Sequence, residues 1–221
     1  MSTRAGWPSS PRLEARALSF GYTPQEPLLQ EWDAAFEAGS MTAITGPSGR
    51  GKSTLMYLLG LMLRPSSGAI LLDGVDAVPR KDAELARLRA ERFGFVFQDA
   101  ALDTTRTVLD NVTETALYRG VARSTVSGAA RELMERFGVD LPPERKPGQV
   151  SGGQAQRIAL CRALLNQPSV LLADEPTGNL DPASSGVVVD ALRQHASRGA
   201  AVVLVTHSPE LAAACDREIR L

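Results

Sequence analysis

The chain has 221 residues, enough for one large α/β domain with its own core. Its 24 Lys and Arg stand against 25 Asp and Glu, a net charge of −1, which excludes the global basic field that drives nucleic-acid or anionic-membrane binding. No apolar run approaches the ~20 residues of a membrane helix, and the two cysteines, Cys161 and Cys215, lack metal-ligand spacing and read as buried free thiols of a reducing cytosol.

Residues 1–12 are rich in Ser, Pro and Gly without the charged-then-apolar order of a signal segment, so a flexible lead-in is expected there, with the folded domain spanning 13–221. Strands are expected at 13–20 and 32–36, with turns at Gly21-Tyr22-Thr23-Pro24 and Ala38-Gly39-Ser40. A further strand, 69–72, stops at Asp73-Gly74 and reads as an edge strand. Residues 79–92 form a charged amphipathic pattern ending at Gly94, before the strand Phe95-Val96-Phe97. From 107 to 136 the pattern is helical, with Ser124 as an expected N-cap and Val126, Ala130, Leu133, Met134 and Phe137 on one apolar stripe. This block interrupts the strand–helix alternation and reads as a helical insertion of about 100–155. Alternation then resumes: a helix over 154–166, a strand at 170–173, a helix opened by Asp181-Pro182, a strand at 201–206 and a last helix opened by Ser208-Pro209. Near-continuous apolar strands between helices predict a mostly parallel sheet flanked by helices. His195, near a helix end where a cation is mildly favoured, is given no catalytic role.

Residues Gly46-Pro47-Ser48-Gly49-Arg50-Gly51-Lys52-Ser53-Thr54 spell G-x-x-x-x-G-K-[ST] between an apolar strand and a helical pattern. Glycines let backbone N–H groups turn inward around phosphates, and the helix start adds its unpaired N–H groups and positive dipole end. Lys52 is placed to reach the β/γ-phosphates, and the Ser53 hydroxyl to complete a Mg²⁺ shell. The chain is therefore expected to bind a nucleoside triphosphate. Val170-Leu171-Leu172-Ala173-Asp174-Glu175 ends an apolar strand in two carboxylates. In a parallel sheet, ligands sit at the carboxyl ends of the strands, so Asp174 is expected to face the loop and hold Mg²⁺. Glu175 is then placed to orient and polarise the water that attacks the γ-phosphate.

Val150-Ser151-Gly152-Gly153-Gln154 resembles the signature motif, usually Leu-Ser-Gly-Gly-Gln, of ATP-binding-cassette (ABC) ATPases. Independently of that likeness, Ser151 caps a helix whose start exposes the bare N–H groups of Gly152 and Gly153, a second anion site. Other family elements follow in order. Tyr22, in Phe20-Gly21-Tyr22, matches the aromatic residue that stacks on adenine. Gln98 matches the glutamine that touches Mg²⁺ and the membrane partner. Gly178-Asn179-Leu180-Asp181 resembles the loop that crosses between subunits, and His207 the switch histidine at the γ-phosphate.

The resemblance covers 13–221. It implies a P-loop NTPase of the ABC type, with an N-terminal antiparallel β subdomain and an inserted helical subdomain. It also implies an ATPase that binds ATP and Mg²⁺ and pairs head to tail with a second copy of itself. Such a dimer would drive an integral membrane permease from the cytoplasmic face, without nucleic acid. Phe95-Val96-Phe97-Gln98 and Thr107-Val108-Leu109-Asp110-Asn111-Val112 resemble the branch of lipoprotein-release, macrolide-export and bacteriocin-export ATPases. That branch implies export or extraction of peptides, lipoproteins or amphipathic drugs. The rival expectations are a regulatory or mechanical ATPase of the cell-division type and a soluble iron–sulfur assembly ATPase. The chain departs from the branch at Arg50, at Val150 and over 99–105, and the stretch 98–111 is expected to grip the membrane partner.

Overall fold

The computed structural model describes residues 11–221 except 24, 25 and 48, so most of the expected lead-in lies outside the described residues. Strands β1 (Leu13–Thr23) and β2 (Glu26–Phe36) pair antiparallel, and β4 (Ser67–Leu72) and β5 (Val75–Asp76) complete a four-stranded sheet in the order β2-β1-β4-β5. Five parallel strands form the second sheet. They are β3 (Met41–Thr45), β6 (Phe93–Val96), β7 (Val170–Asp174), β8 (Ala201–Val205) and β9 (Arg217–Arg220), in the order β6-β7-β8-β3-β9. Between them run α1 (Lys52–Leu59), α2 (Asp82–Arg92), α3 (Val108–Tyr118), α4 (Arg123–Arg136), α5 (Gly152–Leu164), α6 (Pro182–Ser197) and α7 (Pro209–Ala213).

The central strands are apolar throughout because both faces of the sheet are covered. On β7, Leu171 and Ala173 enter one core and Val170 and Leu172 the other. Likewise Val202 and Leu204 of β8 face the first core, and Ala201, Val203 and Val205 the second. This is the two-residue period of a strand with two buried faces. The register Val170↔Ala201 to Asp174↔Val205, with Met41↔Val202 to Ile44↔Val205, brings the carboxyl ends of β7, β8 and β3 to one edge. There the functional residues collect.

The parallel sheet, the antiparallel sheet and the stripe Ala130–Met134–Phe137 agree with the sequence reading. Several local expectations are corrected. Gly21, Tyr22 and Thr23 belong to β1, not to a turn, because pairing with β2 continues through Thr23↔Glu26. Strand β4 is internal, lying between β1 and β5. Helix α2 starts at Asp82, where the Glu84 carboxylate accepts the Lys81 N–H at 3.0 Å. Gly94 lies inside β6; a Cβ there would sit 2.5 Å from Ala163 O, so α5 can cross the strand only over a glycine. The 107–136 helical block breaks at Gly120, φ 68°, and α4 is capped by Ala122, leaving Ser124 inside it. His195 is buried, with Nε2–H donating to Pro168 O at 2.8 Å, and burial pushes its pKa down, which disfavours the charged form at that helix end. Both cysteines are free thiols, Cys161 buried and Cys215 half-buried.

Candidate functional site

The site begins where β3 runs into α1. Gly51, the N-cap of α1, has φ 82°, and a Cβ there would lie 2.7 Å from the Leu28 side chain, so only glycine fits both demands. The first helical hydrogen bond runs from Leu55 N–H to Gly51 O at 2.7 Å, leaving the N–H groups before it without intrahelical acceptors. Lys52 is buried, and its Nζ donates to Gly46 O and Pro47 O at 2.8 Å each. An ammonium has three donors, so one remains for an anion above the loop. Arg50 is exposed and does not line the cavity, and Ser48 lies outside the described residues.

A cavity of about 710 Å³ opens over this loop, lined by Tyr22, Lys52, Ser53, Gln98, Asp174 and His207 among others. Asp174 closes β7, and its Oδ2 accepts the Ser53 hydroxyl at 2.8 Å. Two hard oxygens at that separation suit Mg²⁺, which keeps water and phosphate ligands beside one or two protein oxygens. Among the described residues no cluster of three His, Cys, Asp or Glu forms an all-protein cage. The donor set thus fits a cation carried in with phosphate.

Glu175 follows in a left-handed conformation, φ 46°, a region costly for a non-glycine residue and concentrated at functional sites. Its surroundings fix it: its N–H donates to Val205 O at 2.9 Å, while its carboxylate accepts His207 N–H at 2.7 Å and the Thr206 hydroxyl at 3.0 Å. The carboxylate is thereby stitched to the end of β8. Opposite, Tyr22 is 70% exposed, meets Phe20 edge-on at 5.1 Å, and shares a 3.1 Å hydrogen bond between its hydroxyl and Thr54 Oγ1.

Residues 151–154 stand apart from this cavity. Ser151 Oγ accepts Gln154 N–H at 3.3 Å, and Gln154 Oε1 returns to Ser151 N–H at 3.0 Å, so the cap of α5 is closed upon itself. Asp181 caps α6, accepting Ser184 N–H at 3.0 Å and Ser184 Oγ–H at 2.6 Å. Those bonds hold its carboxyl below the usual carboxylate range. The two helix starts are linked, since Arg157 of α5 donates to Ser184 Oγ at 3.3 Å. The segment between, Gly178 and Asn179, lines the cavity, and Asn179 O would lie 3.1 Å from a Cβ on Gly153.

Sequence reasoning missed Leu28 and the part played by Thr206. Leu28 comes from β2 of the other sheet and reaches the loop only through tertiary packing, so no local signal could have found it. Thr206 could have been suspected from a polar residue, fully buried, ending an apolar strand.

Residues 29–178 match the ABC transporter family. The chain is 41% identical over 215 residues to the macrolide export ATP-binding/permease protein MacB 1/2 of Paracoccus denitrificans (strain Pd 1222), covering 96% of this chain and 32% of that protein. It is also 41% identical over 193 residues to the uncharacterized ABC transporter ATP-binding protein YvrO of Bacillus subtilis (strain 168), covering 87% of this chain and 84% of YvrO. The chain thus spans about a third of the length of the MacB relatives. Among solved structures, the dimeric bacterial ABC transporter cassette MJ0796 is similar at a TM-score of 0.88 and 30% identity, covering 95% of this chain and 94% of that one. The same cassette in a post-hydrolysis state bound to ADP and Pi is similar at 0.84.

Proposed function

The chain belongs to the ABC transporter family and is an ATPase that uses ATP and Mg²⁺, and from that premise we propose that it is the motor of an exporter, closing as a head-to-tail dimer around two nucleotides. The observation that carries this reading is the division of the phosphate-binding parts. One cavity gathers Lys52, Ser53, Asp174, Glu175 and His207, while the bare helix start at Ser151, Gly152 and Gly153 lies outside it. A second copy offers that helix start a phosphate to meet, with Asp181 near the crossing. Gln154 closes the cap, and the Gly178–Asn179 segment relays between the two sites.

In the cavity, Tyr22 stacks on the base, and the backbone N–H groups of Gly49, Gly51, Lys52, Ser53 and Thr54 surround the α- and β-phosphates. Lys52 gives its remaining donor to the β/γ-phosphates. Ser53, Asp174 and Gln98 hold Mg²⁺, which when bound neutralises charge on the phosphate oxygens. Glu175, fixed by Thr206 and His207, orients the attacking water and accepts its proton as the bond from the γ-phosphorus to the bridging oxygen breaks. The His207 side chain contacts the γ-phosphate and is released when that phosphate leaves.

Among the described residues no helix is long and apolar enough to cross a membrane. By its resemblance to transporter ATPases, this domain is proposed to sit on the cytoplasmic face of a membrane, against a permease. Of the cargo classes expected (amphipathic drugs, peptides or lipoproteins), the named macrolide exporters among its relatives favour the first. A groove of about 920 Å³ between α2, β6, α3 and α5 suits the permease contact. Its floor is a ladder of Phe93, Phe95 and Phe97, successive rings 5.9 Å apart and nearly parallel, and its rim carries Arg87, Tyr118 and Arg119. This groove adjoins the stretch 98–111, where Leu102 is partly packed on the core and Arg106 pairs with Asp103 and Glu114, so Tyr118 and Arg119 on its rim are chosen as the probe. Replacing Tyr118 and Arg119 together by Ala should leave basal ATPase within about twofold. It should also abolish co-purification with, and stimulation by, the membrane chain. Undiminished stimulation in that variant would place the contact elsewhere.

A further inference from the structure

The turn that presents Gln98 is strained, and a buried arginine holds it. Residues Phe97 to Ala100 form a tight turn closed by Ala100 N–H to Phe97 O at 3.0 Å, with Gln98 at its first central position. Ala100 and Ala101 then adopt left-handed conformations in succession, φ 60° and 44°. Alanine disfavours that region about tenfold per residue, and only glycine enters it freely. Two such residues in a row persist only if something over-determines them.

Arg162, in the last turn of α5, supplies that restraint. Its side chain is 9% exposed, Nη2 donates to Ala100 O at 2.8 Å, and Nη1 donates to Ala101 O at 2.8 Å. The nearest carboxylate, Glu114, is 3.8 Å away, so the two strained carbonyls are the main acceptors of a largely desolvated guanidinium. Burial pushes its pKa down, as expected where countercharge is thin. A planar fork suits two adjacent carbonyls, which a single ammonium cannot match. On the far side, Asn111 of α3 accepts Asp103 N–H at 2.7 Å and donates to Asp103 O at 3.0 Å. The stretch after Gln98 is thus clamped from two helices, and β6 fixes it from before.

We propose that Arg162 is a positioning residue for the ATPase reaction: by forcing the left-handed pair Ala100–Ala101, it holds Gln98 at the mouth of the nucleotide cavity and ties it to α5. This rests on the reading of Gln98 as a nucleotide-site residue. Arg162 lies eleven residues beyond the N-cap Ser151 on one continuous helix, about 16 Å along its axis. A tilt of α5 set by a nucleotide at its start is therefore delivered to Gln98 in the chain's own cavity. No atom of Arg162 need touch substrate for this.

Amide exchange of the nucleotide-free protein tests the restraint directly. R162M keeps the stem and removes every donor; exchange over 97–103 should rise at least tenfold while α1 and β7 keep their protection. R162K, which retains charge and most of the volume, should give a smaller rise and serves alone if R162M does not fold. In turnover, R162M should lower kcat at least tenfold with KM for ATP within about threefold. In a background carrying Ala100→Gly and Ala101→Gly, which need no forcing, R162M should accelerate exchange at least threefold less than in the native background. Native exchange rates in both arginine variants, or a strictly additive effect of the glycine pair, would overturn the proposal. Gln98→Ala separates the premise: native turnover there removes Gln98 from the site, while the exchange comparison still decides whether Arg162 holds the turn.

Discussion

Glu175→Gln is the sharpest perturbation of the proposed chemistry, because the structure lets its structural and chemical costs be compared. The carboxylate has two bonds, from His207 N–H at 2.7 Å and from the Thr206 hydroxyl at 3.0 Å. The amide oxygen of Gln can keep the first. Its NH₂ can donate to Thr206 Oγ1, which rotates from donor to acceptor. Backbone strain at φ 46° is the same for either side chain. The structural loss is thus two charge-assisted bonds turned neutral, about 2 kcal/mol, or several degrees in Tm. The chemical loss is larger, since removing a general base costs about 10²- to 10⁴-fold, equivalent to about 3–5 kcal/mol of barrier. Turnover should therefore collapse in a folded protein that still binds ATP, and an ATP-bound dimer should accumulate. Phosphate release, nucleotide titration and size-exclusion chromatography with ATP and Mg²⁺ measure the three quantities. Turnover within tenfold of the native rate would remove Glu175 from the role. So would an ATP affinity that falls as far as the rate does.

Two further outcomes follow. Lys52→Ala should weaken ATP binding to isolated monomer at least tenfold, whereas Ser151→Ala, which opens only the α5 cap at about 1 kcal/mol of helix stability, should spare that affinity and abolish most hydrolysis; equal affinity losses would refute a shared site. Ser151 is the better probe than Gly153, where a side chain would press on Asn179 of the chain's own cavity. His195 carries a pH signature: burial lowers its pKa in the fold, so the unfolded chain, titrating near about 6.5, takes up a proton that the folded chain resists. Stability should then fall as pH drops from about 7 toward 5, and His195→Gln should flatten that part of a urea-midpoint profile, an unchanged slope assigning the loss to other groups.

What could be read from the sequence follows from how each residue is placed. Lys52, Ser53 and Asp174 were legible because a helix start and a strand end fix their directions locally, and parallel strands bring such ends to one edge. Ser151 and Asp181 were legible for a related reason, since caps act within three residues. Wherever a distant element decides, local pattern misled. Tyr22 sits in a Gly- and Pro-marked stretch that reads as a turn, yet β2 continues to pair with it. Strand β9, Arg217–Arg220, has only Ile219 packed on the core and exists because β3 offers it an edge. Ala100, Ala101 and Glu175 lie in a backbone region that residue type argues against, and each is held there by bonds from elsewhere: Arg162 for the alanines, Thr206, His207 and Val205 for the glutamate. These are departures from local preference: Glu175 lines the cavity, and the alanines follow Gln98, which also lines it, so strain there fixes side chains that propensity alone would leave free. A motif can therefore name the residues that meet phosphate while remaining silent on those that hold them there. In this chain Leu28, Thr206 and Arg162 form that second set; no sequence neighbour announces Leu28 or Arg162, and Thr206 is marked only as the polar residue that ends an apolar strand.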